Sequence, residues 1–158
     1  MNKKRIIFGI LTCIWCYVIF SFSHSSGESS GSLSLKITHW ILSVVYPVYD
    51  QKNLPIVDIF HFIIRKGAHM TEYAILYFLT QQLSSTFNIK LKWSFLYPLF
   101  FCVGYAFLDE FHQLFIQGRA GKIMDVFIDS CGAVLMMGVM YLFYKYRTKR
   151  CIRNKTVV

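Results

Sequence analysis

Long apolar runs, each closed by charged or turn-forming residues, divide the chain into four predicted membrane-crossing segments. The first, Ile6 to Phe22, is interrupted only by Gly9, Thr12 and Ser21 and is at the short end for a span. The second covers Ala68 to Leu83, and its upstream flank PIVDIFHFIIRKG carries the helix back to Pro55, a residue suited to a first turn. A helix that long enters a bilayer obliquely. The third run extends from Trp93 to about Leu108 and the fourth from Val126 to Tyr146. Between the first two, Leu33, Ile37, Trp40, Ile41, Val44 and Val45 recur at helical spacing, while Ser34, Lys36, Thr38, His39 and Ser43 take the other face. That amphipathic stretch ends at Pro47; lying on the outer leaflet and packing over the bundle mouth both fit its pattern. The Ser/Gly run from Ser25 to Ser34 reads as a flexible connection. With no internal repeat, residues 1–150 form a single domain and 151–158 a short basic tail. The expected fold is an all-α membrane protein: a bundle of about four transmembrane helices with an outer amphipathic segment.

Composition narrows the class. Of 158 residues 55% are hydrophobic and only 16% charged, with a mean hydropathy of +0.44; an ordinary soluble domain is about a quarter charged. A water-exposed globule and a large multidomain enzyme are both excluded. The net charge of +9 would suggest nucleic acid, but too little polar surface remains for a basic patch, so the expected partner is the lipid bilayer. Placement explains the charge better. Lys3, Lys4, Arg5, Lys90, Lys92, Lys145, Arg147, Lys149, Arg150, Arg153 and Lys155 fall on one side of a four-span arrangement, and every acid and histidine falls on the other. Cytoplasmic loops hold the excess of Lys and Arg, which puts both termini inside a multi-pass protein. MNKKR resembles a signal-peptide n-region, yet SFSHSSGESSGS after the apolar run offers no A-x-A-like site, so the first span is read as uncleaved. Cys13, Cys16, Cys102, Cys131 and Cys151 are an odd set, mostly within spans, and read as small buried hydrophobes rather than a disulfide framework.

Ionisable groups inside a span need a partner or a water-filled site. On the second helix His61, Arg65, His69 and Tyr73 follow at i+4, with Lys66 beside the stripe and Glu72 three residues after His69. The third ends in Tyr105, Asp109, Glu110, His112 and Gln113; Arg119 follows in QGRAGK, and Asp125 and Asp129 open the fourth. Asp125 and Asp129 suit a helix N-terminus as dipole partners. Asp109 and Glu110 come at a C-terminal end, where negative partial charge already collects, and Arg65, Lys66 and Arg119 are the cations expected to neutralise them. Two readings fit: an ion-pair network that fixes helix register, or a site for a charged substrate. Ser23 beside His24 is a poor nucleophile and base pair, since adjacent residues point different ways. His69, Asp109, Glu110, His112, Asp125 and Asp129 are all possible metal ligands, but no tight ligand spacing is present and the three cations would repel a metal, so none is expected. Phosphate matches better: Arg65, Lys66 and Arg119 would bind it while His69 or His112 moves a proton.

The pattern Arg65-Lys66-x-x-His69-x-x-x-Tyr73, Tyr105-Ala-x-x-Asp109-Glu110-x-His112-Gln113-x-Phe115-x-x-Gly118-Arg119 and Asp125-x-x-x-Asp129-x-x-Gly132, with Phe20-Ser21-Phe22-Ser23 upstream, resembles the VanZ-like family of bacterial membrane proteins. The resemblance runs from the first span to the fourth. It implies a small cell-envelope protein whose family namesake is associated with low-level resistance to teicoplanin; separately, no cofactor is expected. These residues match the family's polar positions, which carries over the residues and not a mechanism; among them Arg65, Lys66, Tyr73, Gln113, Arg119, Asp125 and Asp129 are read as candidate substrate-binding residues, and His69, Asp109, Glu110 and His112 as candidate catalytic ones. A lipid-linked envelope precursor or the glycopeptide itself is the implied ligand. A hydrolase or transferase acting on an envelope lipid phosphate or ester, and a non-catalytic structural or interaction protein, are the other functions the residues allow.

Overall fold

The computed structural model describes residues 3–45 and 54–155. Five helices follow one another: α1 (Lys3–His24), α2 (Gly27–Val45), α3 (Leu54–Ser84), α4 (Leu91–Gln113) and α5 (Ile123–Lys155). Each of the four apolar runs lies inside one of them, and Pro55 stands in the first turn of α3, as its missing N–H favours. Among the described residues, three helices, α1, α4 and α5, are long and apolar enough to cross a membrane. The expected fourth, α3, is not one of these, because Asp58, His61, Arg65, Lys66, His69 and Glu72 crowd its first two-thirds.

Those polar groups are tolerable because α3 is the central helix, touching all the others. Tyr73, Leu76 and Tyr77 of α3 pack with Ile19 of α1, Phe95, Cys102 and Ala106 of α4 and Ala133 of α5 into one core. The small residues there let backbones approach closely. Around this core, Ile7, Ile14 and Tyr17 of α1, Phe100, Phe107 and Leu108 of α4, and Phe127, Leu135 and Leu142 of α5 are exposed. An apolar girdle of that extent suits hydrocarbon rather than water.

Contacts at the two ends fix the helix directions. Arg5, at the start of α1, donates to the Thr86 hydroxyl (3.3 Å) and carbonyl (2.8 Å) and lies over the Phe87 ring, just past the end of α3. His24, at the other end of α1, meets His112 near the end of α4, and Lys66 of α3 meets Asp125 in the first turn of α5. So α1 and α4 run one way, α3 and α5 the other. The bundle therefore has a basic end, with Lys3, Lys4, Arg5, Lys90, Lys92 and the last turns of α5, and an acidic end. The basic stretch expected from residue 151 continues α5 as far as Lys155.

The run from Ser25 to Ser34 departs from expectation: from Gly27 onward it is not a flexible connection but the first half of α2. The Ser26 hydroxyl accepts the Ser29 N–H (3.3 Å), an N-cap contact, and the hydroxyls of Ser29, Ser32 and Ser34 donate to carbonyls three or four residues back. Tertiary contact holds the helix in place. The Ser34 hydroxyl is 2.6 Å from His61 Nε2, and a Cβ on Gly27 would collide with the Gly118 carbonyl, so backbone lies on backbone. Gly118 itself has φ +75°, which its lack of a Cβ permits. Ser34, Thr38 and Leu42 face α3, whereas Leu33, Trp40 and Val44 remain exposed. The apolar face thus points away from the bundle, opposite to what packing it over the bundle mouth requires. The expected stop at Pro47 lies outside the described residues.

Candidate functional site

Three helix ends and the middle of α3 build the acidic end. The last turns of α4 supply Asp109, Glu110 and Gln113; the first turns of α5 supply Asp125 and Asp129; α3 supplies His69, Glu72 and Tyr73; and α1 ends in Ser23 and His24. Asp109, Glu110 and Asp129 converge, with one oxygen of each within 4.8 Å of the others, and all three residues are buried. The Gln113 amide donates to Asp109 Oδ2 (3.1 Å). Glu110 Oε2 accepts the Lys122 backbone N–H (2.9 Å), which places its charge at the positive N-terminus of α5. Four buried atoms here find no hydrogen-bond partner in the protein: Asp129 Oδ2, the Tyr73 hydroxyl, Ser23 Oγ and Arg119 Nη1. Most buried polar atoms are paired, so four orphans at one end mark a polar cluster the fold does not satisfy by itself.

The cations go elsewhere than expected. Among the described residues the ion pairs are Lys66 Nζ to Asp125 Oδ1 (2.6 Å) and His69 Nδ1 to Glu72 Oε2 (3.5 Å). Arg119 donates from Nε to the Ser25 carbonyl (2.8 Å) and from Nη2 to the Phe22 carbonyl (2.7 Å). The last carbonyls of a helix have no intrahelical donors, so the end of α1 competes well for that planar fork. Partial burial and the charge of Arg65 nearby both pull the Arg119 pKa below the ordinary guanidinium value.

Of the candidate residues, the structure gathers His69, Tyr73, Asp109, Glu110, Gln113 and Asp129. Lys66 and Asp125 are a pair beside them, Arg119 is a clamp on α1, and Arg65 is half-buried. His112 stands apart, its ring 4.7 Å from Phe20 and 5.6 Å from His24, with Nε2 3.3 Å from His24 Nδ1. Ser23 and His24 do point different ways: Ser23 is buried near Asp109, and His24 is exposed. Two participants were not among the candidates. Glu72 was signalled by its i+3 spacing from His69; Ser23 had only its place in the Phe-Ser-Phe-Ser element.

Chemically, Asp109, Glu110 and Asp129 are the groups able to hold a hard cation. The carboxylate of Glu72 orients the His69 imidazole by one nitrogen and leaves the other for proton transfer. A cavity of about 120 Å³ between α4 and α5, lined by Phe107, Glu110, Phe111, Leu114 and Val126, borders the cluster at Glu110. A larger apolar cavity of about 430 Å³, lined by Thr12, Thr80, Leu83, Tyr97 and Phe101, lies toward the basic end and away from this chemistry.

An all-helical bundle with an apolar girdle, three helices fit to cross a membrane and buried acids at one end defines a small membrane-type helical protein. The chain belongs to the VanZ/LLP1 family, whose model matches residues 8–144 and so includes every residue of the cluster. No curated protein and no solved structure matches it.

Proposed function

We propose that the chain is a multi-pass protein of the bacterial cell membrane that binds the polar head of a lipid-linked envelope precursor in an outward-facing chamber and thereby lowers the action of teicoplanin. The observation that carries this reading is the set of buried, unpartnered atoms of Ser23, Tyr73, Arg119 and Asp129 beside an opening at Glu110. A head group arriving sideways from the outer leaflet would supply the missing partners while its chains stay in the girdle. In this reading α3 is the fourth crossing. Its stretch from Arg65 to Ser84 is about 30 Å long at 1.5 Å per residue, the thickness of the hydrocarbon core. The basic end is cytoplasmic by the Lys/Arg excess.

Orientation has a direct check. In a chain retaining Cys151 as its single cysteine, an impermeant thiol reagent is expected to label permeabilised cells and leave intact cells unlabelled. Labelling of intact cells would turn the chamber inward. For the function, the intact chain is expected to raise the teicoplanin concentration a host survives, and His69→Ala and Asp109→Asn to abolish that at equal membrane abundance. A host equally susceptible with and without the intact chain refutes the resistance reading.

The His69–Glu72 pair favours a second reading, in which His69 acts as general base in hydrolysis or transfer at an envelope lipid phosphate or ester. Mass spectrometry of lipids and muropeptides decides between the two. An altered profile that His69→Ala restores supports catalysis; an unchanged profile with the tolerance retained supports binding.

A further inference from the structure

We propose that Asp109, Glu110 and Asp129 form a site for one hard divalent cation of the size of Ca²⁺, with the hydroxyls of Tyr73 and Ser23 beside it as neutral oxygen donors. Size comes first. Ca²⁺ binds oxygen at about 2.4 Å, so two of its ligands are at most about 4.8 Å apart, which is the span within which the three carboxylate oxygens lie. Mg²⁺, at about 2.1 Å, sets the stricter limit of about 4.2 Å. The donor set is all oxygen, which selects Ca²⁺, Mg²⁺ or Mn²⁺ over the softer metals that seek imidazole and thiolate.

The second observation is independent of the acids. Tyr73 is 0% exposed and Ser23 2% exposed, and neither hydroxyl has a partner in the protein. Tyr73 faces Asp109 and Asp129, and Ser23 stands beside Asp109. A buried hydroxyl without a partner is costly, about 1–3 kcal/mol. Two of them converging on three carboxylates are accounted for together by an ion that takes six to eight oxygens, water among them.

Charge points the same way. The objection that Arg65, Lys66 and Arg119 would repel a metal loses force for Lys66 and Arg119, whose partners lie elsewhere. Lys66 is neutralised by Asp125, Arg119 is turned toward the carbonyls of α1, and Arg65 lies near Arg119. His69, which neighbours all three acids, is paired with Glu72. The ion would also remove the repulsion between these acids and an anionic head group, but its binding does not depend on what that ligand is.

Equilibrium dialysis of the detergent-purified full chain against calcium alone tests the site. About one Ca²⁺ per chain is expected, with a Kd of about 1 mM or tighter, the range of extracellular calcium modules. Asp129→Asn is expected to weaken binding at least tenfold, Tyr73→Phe several-fold, and Glu28→Gln, at the exposed start of α2, not at all. Helix content by circular dichroism and a single gel-filtration peak confirm that each protein is folded. No saturable uptake by folded wild type, or wild-type affinity in Asp129→Asn, overturns the site. Should Asp129→Asn not fold, the Ser23→Ala/Tyr73→Phe double variant decides, and undiminished affinity there overturns it equally.

Discussion

Replacing Gly132 with valine is expected to destabilise the protein by about 3 kcal/mol, near the upper end for overpacking. A Cβ at this position would overlap the Met70 carbonyl oxygen and crowd its carbonyl carbon and Cα. The obstacle is helix backbone, which cannot swing aside as a side chain can, so α3 and α5 must separate. Their contact is the most extensive in the bundle, and Asp129 sits one turn before Gly132 on the same face. Separation would therefore also draw Asp129 away from Asp109 and Glu110. Gly132→Ala is expected to show a smaller loss of the same kind. Gly138, further along α5, has open space where a methyl group would sit, with no atom within 4 Å, and Gly138→Ala should be neutral or stabilising by up to about 1 kcal/mol through helix propensity. Thermal unfolding in detergent checks all three, and equal Tm values for Gly132→Ala and Gly138→Ala would show that the close approach carries no energy.

What could be read from the sequence followed the range of the forces involved. The four apolar runs located α1, α3, α4 and α5 because periodicity and length act locally, and each helix extends beyond its run where polar residues continue it. The resemblance through DE-x-HQ-x-F-x-x-GR agrees with the family assignment. The start of α2 was not legible. Serine and glycine are weak helix formers, and what holds them helical is a hydrogen bond to His61 and backbone contact with Gly118, both distant in sequence. The carboxylates were recognised as a set, but not their partners. Opposite charge at matching depth suggested Arg65, Lys66 and Arg119 for Asp109 and Glu110, whereas the Arg119 guanidinium donates to the Phe22 and Ser25 carbonyls at the end of α1. Charge pattern alone does not reveal where a helix end will be short of donors.

That choice of partner makes Arg119 the second decisive position. Arg119→Met keeps the length and apolar stem but removes the bonds to Phe22 and Ser25. Hydrogen bonds from a charged donor are worth about 1.5–3 kcal/mol each when well buried; with Nη2 reaching an exposed carbonyl, a combined loss of about 2 kcal/mol is expected. The effect should be local before it is global. The end of α1 and the turn into α2 would fray, so limited proteolysis should cut near Ser25 and Ser26 in the variant at protease levels the wild type resists. Arg119→Lys tests geometry against charge, because an ammonium keeps the charge but lacks the planar fork that reaches two carbonyls at once. If Arg119 serves chiefly as a clamp, lysine should recover only part of the protection. If it serves chiefly as a charge for an anionic ligand, lysine should retain teicoplanin tolerance, and Arg119→Met should lose tolerance while its cleavage pattern stays that of the wild type. A clamp also predicts that Ser23, held in place by its neighbours Phe22 and Ser25, leaves the side of Asp109 when Arg119 is lost, so that calcium affinity falls although no proposed ligand has been changed.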